Sequence, residues 1–192
     1  MRTEEQMMKL ILDTAREDER ILAVYMNGSR TNPNAPEDIF QDYDIVYVVT
    51  ETESFQRDRA WIDRFGERLY MQYPEEGVLY QDADVENWYG WLIQFTDGNR
   101  LDLHVGTAER AGKNLELYRV LVDKDGLFVK KEESSDERYW IRRPGEREYL
   151  DVCNEFWWCL NNVAKGLWRG EIPYVMDMID VPGRPMLKRM LL

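Results

Sequence analysis

Two aspartates two residues apart, Asp42 and Asp44, open an apolar run that continues through Ile45-Val46-Tyr47-Val48-Val49. On an extended strand, side chains at i and i+2 leave the same face about 7 Å apart along the chain. Both carboxylates then point one way while Tyr43 and Ile45 point the other. Two acids so placed can share divalent cations, although taken alone the pattern also fits a solvated strand mouth. Just upstream, Gly28-Ser29-Arg30 follows directly on the largely apolar, β-branched and aromatic run 21–27. Gly28 lets the backbone turn sharply, Ser29 adds a hydroxyl and Arg30 a fixed positive charge. Backbone N–H groups at such a turn favour phosphate. A third acid, Asp102, sits mid-strand in Arg100-Leu101-Asp102-Leu103-His104-Val105, on the polar face of the alternation. An acid there needs water, a partner or a metal. His104 shares that face, where a lone histidine fits a packed or hydrogen-bonded residue better than a catalyst.

A Gly-Ser turn, a connector, Asp-x-Asp and a later strand aspartate together resemble the nucleotidyltransferase fold of the polymerase-β type. The resemblance narrows with Gly28-Ser29-Arg30-Thr31-Asn32, Phe40-Gln41-Asp42-Tyr43-Asp44-Ile45, Asp97-Gly98-Asn99-Arg100-Leu101-Asp102-Leu103, Tyr139-Trp140-Ile141-Arg142-Arg143-Pro144 and Cys153-Asn154-Glu155-Phe156-Trp157. These follow one another much as in the aminoglycoside 6-adenylyltransferases, the streptomycin-modifying enzymes, and the similarity covers nearly the whole chain. It implies an α+β nucleotidyltransferase fold, a mixed β-sheet flanked by helices, followed by a partial helical C-terminal domain. It also implies transfer of AMP from Mg-ATP to a hydroxyl of an aminoglycoside such as streptomycin, with release of pyrophosphate and resistance to the antibiotic.

Within that chemistry Asp42 and Asp44 are expected to hold Mg2+, which prefers oxygen ligands. Asp102 either bridges a second metal or takes the hydroxyl proton; the sequence does not choose. Gly28 and Ser29 are expected to hold the β- and γ-phosphates, and Arg30 to offset charge on the leaving pyrophosphate. Related nucleotidyltransferases bring a lysine of the helical domain to the triphosphate; Lys165 matches that place and equally fits a snorkelling surface lysine. Two alternatives keep the same centre: another acceptor, such as a protein hydroxyl, or a shortened relative that binds nucleotide with little turnover.

The elements that must position these residues follow from pattern. Thr3-Glu4-Glu5-Gln6 reads as a capping box opening a helix that ends near Asp18. Strands are expected at 21–27 and from Asp42 to Thr50, with a two-proline loop between them. A helix over 55–65 with Ser54 as N-cap, a short strand at 69–73, and an acidic solvated loop up to residue 86 come next. A hairpin turning at Asp97-Gly98-Asn99 joins Trp91–Phe95 to the strand of Asp102. One more strand lies near 120–123, and a charged linker spans 131–137. Residues 1–135 are therefore expected to form the nucleotidyltransferase domain and 136–192 a helical domain. A long helix runs there from Gly145 to about Arg169, with shorter ones after it, and Trp157 and Trp158 read as core. Family members continue past this point, so the chain is expected to be shortened and to self-associate through its C-terminal helices.

Composition limits the partners. With 25 Lys and Arg against 37 Asp and Glu the formal net charge is −12, which repels phosphate backbones and disfavours general nucleic-acid binding. It suits a cationic aminoglycoside and equally suits plain solubility. One histidine and two cysteines, Cys153 and Cys159, provide no zinc set. No apolar run reaches the roughly 20 residues of a membrane span, and a reducing cytoplasm is the expected compartment.

Overall fold

The computed structural model describes residues 1–78, 83–113, 115, 117–128 and 136–191. It divides into two compact units, Met1–Asp136 and Glu137–Leu192. In chain order the first unit holds α1 (Glu4–Glu17), β1 (Ile21–Asn27), β2 (Tyr43–Val49), α2 (Glu53–Arg57), β3 (Arg68–Gln72), β4 (Trp88–Phe95), β5 (Arg100–Thr107), α3 (Ala108–Gly112) and β6 (Arg119–Asp123). The second holds α4 (Glu146–Arg169), α5 (Ile172–Met178) and α6 (Arg184–Met190). This is the mixed sheet with helices, then a helical region, that the resemblance implied. No helix among the described residues is long and apolar enough to cross a membrane.

The six strands run β3-β4-β5-β2-β1-β6. Only β2 and β5 are parallel among the pairs, so the two strands carrying the aspartates lie side by side in the middle of the sheet. Alternation along them sends Tyr43, Ile45, Tyr47, Val49, Leu101, Leu103 and Val105 into one core. That core is closed by Met7, Ile11 and Ala15 of α1 and by Phe55, Trp61 and Phe65. Each Val, Leu, Ile, Phe or Met side chain among them contributes about 1.5–3 kcal/mol on burial. Thr3 caps α1 through the expected box with Gln6. The opposite face packs Ala23, Tyr25, Val46, Val48 and Ala111 against partly buried Trp88, Tyr118 and Phe128; on the same side β2 and β5 present their polar residues.

Several elements differ from expectation. The helix expected over 55–65 is α2 plus a separate 3-10 turn, Trp61–Phe65. The break falls at Asp58, whose carboxylate accepts the Ala60 N–H at 3.2 Å, an aspartate side chain competing with the helix ladder. Ser54 is not the N-cap; Thr52 holds that position, and Ser54 donates N–H and O–H to Glu51. Strand β4 starts at Trp88, three residues before the expected start. Glu75 and Glu76, read as solvated loop, are tied down: Glu76 accepts from Tyr89 at 2.5 Å and pairs with Arg59 at 2.6 Å. Residues 79–82 of that loop, and 131–135 of the expected linker, lie outside the described residues. Trp157 and Trp158, read as core, are exposed.

Candidate active site

Register places the site. Asp44 on β2 pairs with Asn27 on β1 and with Asp102 on β5, and all three lie on the face away from α1 by strand alternation. Asp42 immediately precedes β2. One oxygen from each of Asp42, Asp44 and Asp102 lies within 4.8 Å of the others. The sequence singled out these three aspartates, and the structure brings them together. Burial first, then the charges of Asp42 and Asp102, push the Asp44 carboxyl up to about 6. Asn27 Oδ1, on the strand position opposite Asp44, is buried with no hydrogen-bond partner among the described residues. Three carboxylates and a spare amide oxygen form an all-oxygen donor set, which fits a hard divalent cation such as Mg2+.

Gly28 makes the close approach possible. Its φ of 76° with ψ of −161° is glycine territory, and a Cβ there would sit 1.9 Å from Asp44 Oδ2. The chain then enters a 3-10 turn, Ser29–Thr31, whose first internal bond is Thr31 N–H to Gly28 O at 3.1 Å. The N–H groups of Ser29 and Arg30 precede that bond and stay outside the turn's own ladder. A cavity of about 620 Å³ opens here, lined by Ser29, Arg30, Thr31, Asn32 and Arg119 among others.

Arg30 is tied into the chain beside the aspartates. Its guanidinium donates to Asp42 O at 2.9 Å and Gln41 O at 3.0 Å, pairs with Glu4 at 3.1 Å, and lies over the Tyr43 ring at 4.1 Å. It is thereby committed to fixing the backbone that delivers Asp42. The guanidinium beside the carboxylates belongs to Arg100. Its Nε and Nη2 donate to the two oxygens of Asp102 at 2.9 and 2.5 Å, and Nε lies 3.4 Å from Asp42 Oδ2. The available signal was Arg100-x-Asp102, two polar residues on one face of one strand.

One step along the same face, His104 stacks on Trp88 with ring centroids 4.9 Å apart. Its Nε2 lies 3.6 Å from Glu75 Oε1, while Glu75 Oε2 accepts the Gly90 N–H at 3.0 Å. A Cβ on Gly90 would meet His104 Cδ2 at 2.3 Å, so Gly90 is the space the imidazole occupies. Packing and partners thus account for His104. Lys165 belongs to the second unit, on α4, where its ammonium donates to Asn162 Oδ1 at 3.0 Å.

A family model described as streptomycin adenylyltransferase matches residues 1–192. The chain is 45% identical over 195 residues to the aminoglycoside 6-adenylyltransferase of Bacillus subtilis (strain 168), covering 100% of this chain and 68% of that protein. Proteins of the same name from Campylobacter jejuni and Staphylococcus aureus are 39% and 35% identical, each over 100% of this chain and 67% and 69% of theirs. Among solved structures, the crystal structure of an aminoglycoside 6-adenyltransferase from Bacillus subtilis aligns with a TM-score of 0.55 at 41% identity, over 100% of this chain and 66% of that one. The chain thus spans about two thirds of the length of these relatives.

Proposed function

This chain belongs to the streptomycin adenylyltransferase family, whose similar members are named aminoglycoside 6-adenylyltransferases, and from that premise we propose that it transfers AMP from Mg-ATP to a hydroxyl of a cationic aminoglycoside. Streptomycin is the acceptor to try first. The observation that carries this reading is the clustering of Asp42, Asp44 and Asp102 within 4.8 Å beside the Gly28 turn.

Asp42, Asp44 and Asp102 are the residues that would hold magnesium, and the ion would supply charge neutralisation for the triphosphate. Gly28 and Ser29 offer backbone N–H groups and a hydroxyl to the β- and γ-phosphates. Arg30 contributes at one remove, by holding the carbonyls of Gln41 and Asp42. In the reaction the acceptor oxygen attacks the α-phosphorus, the bond to the bridging oxygen breaks and pyrophosphate leaves. The hydroxyl proton passes to a carboxylate, for which Asp102 is the assignment. Lys165 is the second unit's contribution to the triphosphate. We take the domains as 1–135, which carries the aspartates and the Gly28 turn, and 136–192, which carries Lys165.

The test is direct. Incubation with ATP, Mg2+ and streptomycin should release pyrophosphate and yield an adenylylated product by mass spectrometry. Asp42→Asn should lower the rate by at least about 100-fold, as expected for loss of a metal-binding group. Wild-type activity in Asp42→Asn would sink the assignment. Turnover with a protein acceptor and none with any aminoglycoside would replace the acceptor and keep the centre.

A further inference from the structure

We infer that Arg100 is an exchanging counter-ion of the site: its guanidinium holds Asp102 until cation and nucleotide arrive, then gives Asp102 up and turns to the phosphates. The inference rests on the nucleotidyltransferase reading of the aspartates and adds a residue and a motion to it.

Three observations carry it. First, the Arg100 fork takes both oxygens of Asp102, at 2.9 and 2.5 Å, and reaches Asp42 Oδ2 at 3.4 Å. Those carboxylates are the ones whose oxygens converge within 4.8 Å, so fork and cation draw on the same lone pairs. A dication held by these oxygens would lie close to the guanidinium that grips them, and like charges at short range repel. Second, Arg100 is free to leave. Its side chain is 49% exposed while that of Asp102 is 13% exposed, and among the described residues its guanidinium pairs with these aspartates. Arg30, by contrast, is 14% exposed and bound by two carbonyls, a carboxylate and a ring. Third, Arg100 starts β5 on the same face as Asp102, two residues along the strand, so its guanidinium stays within reach of anything the aspartates hold. Guanidinium pairs with phosphate as readily as with carboxylate, through the same two-pronged geometry.

Competition and handover make opposite demands on one variant, which a packing role does not. With Mn2+ as probe and no nucleotide, Arg100→Gln should bind the metal about threefold more tightly or better, because a competing positive charge is gone. With Mn2+ and α,β-methylene-ATP, the same variant should bind the nucleotide about tenfold more weakly or worse, because a charge-assisted phosphate contact is gone. Arg100→Lys keeps the charge without the fork and should fall between on both measurements. Circular dichroism confirms that each variant folds. Unchanged or weaker Mn2+ binding by folded Arg100→Gln overturns the competition. Unchanged or tighter nucleotide binding overturns the handover. Failure of the underlying reading has a different signature: wild-type Mn2+ binding that is undetectable, or insensitive to Asp44→Asn.

Discussion

Gly28 and Asp44 are a single device seen from two strands. Any side chain at residue 28 would collide with the Asp44 carboxylate, at 1.9 Å from Oδ2, and would force an L-residue to φ 76°. Gly28→Ala should therefore cost about 1–3 kcal/mol of stability and abolish Mg-ATP binding, read by thermal melting and nucleotide titration. Retained binding would mean the turn does not need its closeness to Asp44. Asp44 itself is held against its neighbours: it is half-buried and shares the site with two like charges. Asp44→Asn removes one of those charges, so without metal the variant should melt about 2–4 °C above wild type, the response to roughly 1 kcal/mol in a chain this size. Metal-dependent stabilisation should vanish in the same variant. A lower melting point would show that Arg100 already compensates the cluster in full. The three aspartates and Gly28 were legible because strand parity and a turn glycine are local properties of sequence. The commitments of Arg30 and Arg100 were not, since an arginine's partner is chosen by which chain segments the fold brings within its reach. Glu75 was hidden for the same reason: it meets Gly90 and His104 only because β4 and β5 pair.

Strands were read better than helices, and the cause lies in what fixes each. Short apolar runs rich in β-branched and aromatic residues define β1 and β2, two-residue alternation defines β5, and the turn at Gly98 (φ 89°) sets the β4–β5 register. The length of α2 instead depends on Asp58, a single side chain preferring its neighbour's N–H to the helix. A second aspartate at an element boundary ties the layers together. Asp18, the C-cap of α1, accepts from Arg20 at 2.9 and 2.5 Å and from the Trp61 indole at 3.1 Å. Thus the end of α1, the start of β1 and the aromatic turn meet on one carboxylate. The Arg20 hydrogen bonds foremost hold its pKa down, to about 2. A carboxylate depressed in the folded state stabilises above its unfolded value near 4 and loses that contribution as pH falls through the folded value. Asp18→Asn should accordingly cost about 1–2 kcal/mol at pH 7, and the gap to wild type should close between about pH 4 and pH 2. Urea titrations across that range measure it. A gap independent of pH would assign the effect to packing instead of charge.

At the scale of the whole molecule the two units are built unequally. The sheet unit carries the continuous core, whereas α4 buries only Val152, Cys159 and Gly166 and leaves Trp168 91% exposed. Gly166 lets α5 approach, since a Cβ there would meet Val175 Cγ2 at 2.7 Å and the Tyr174 ring at 2.9 Å. Amides of α4 should thus exchange with solvent through lower-energy openings than those of β1, β2 and β5. Ligand linkage then asks where the nucleotide is held. A ligand at 100 times its dissociation constant stabilises whatever binds it by about 2.7 kcal/mol. With Mg2+ and α,β-methylene-ATP, hydrogen exchange should slow across β1, the Gly28 turn, β2 and β5. If Lys165 takes a phosphate oxygen as proposed, the stretch of α4 around it should slow as well; among the described residues its ammonium donates to Asn162 at an exposed position. Lys165→Ala should erase the α4 protection, leave that of the sheet in place and weaken nucleotide binding several-fold, by about 1 kcal/mol. Protection confined to the sheet, or unchanged affinity in Lys165→Ala, would make Lys165 a surface lysine and leave the phosphates to the Gly28 turn and Arg100 alone.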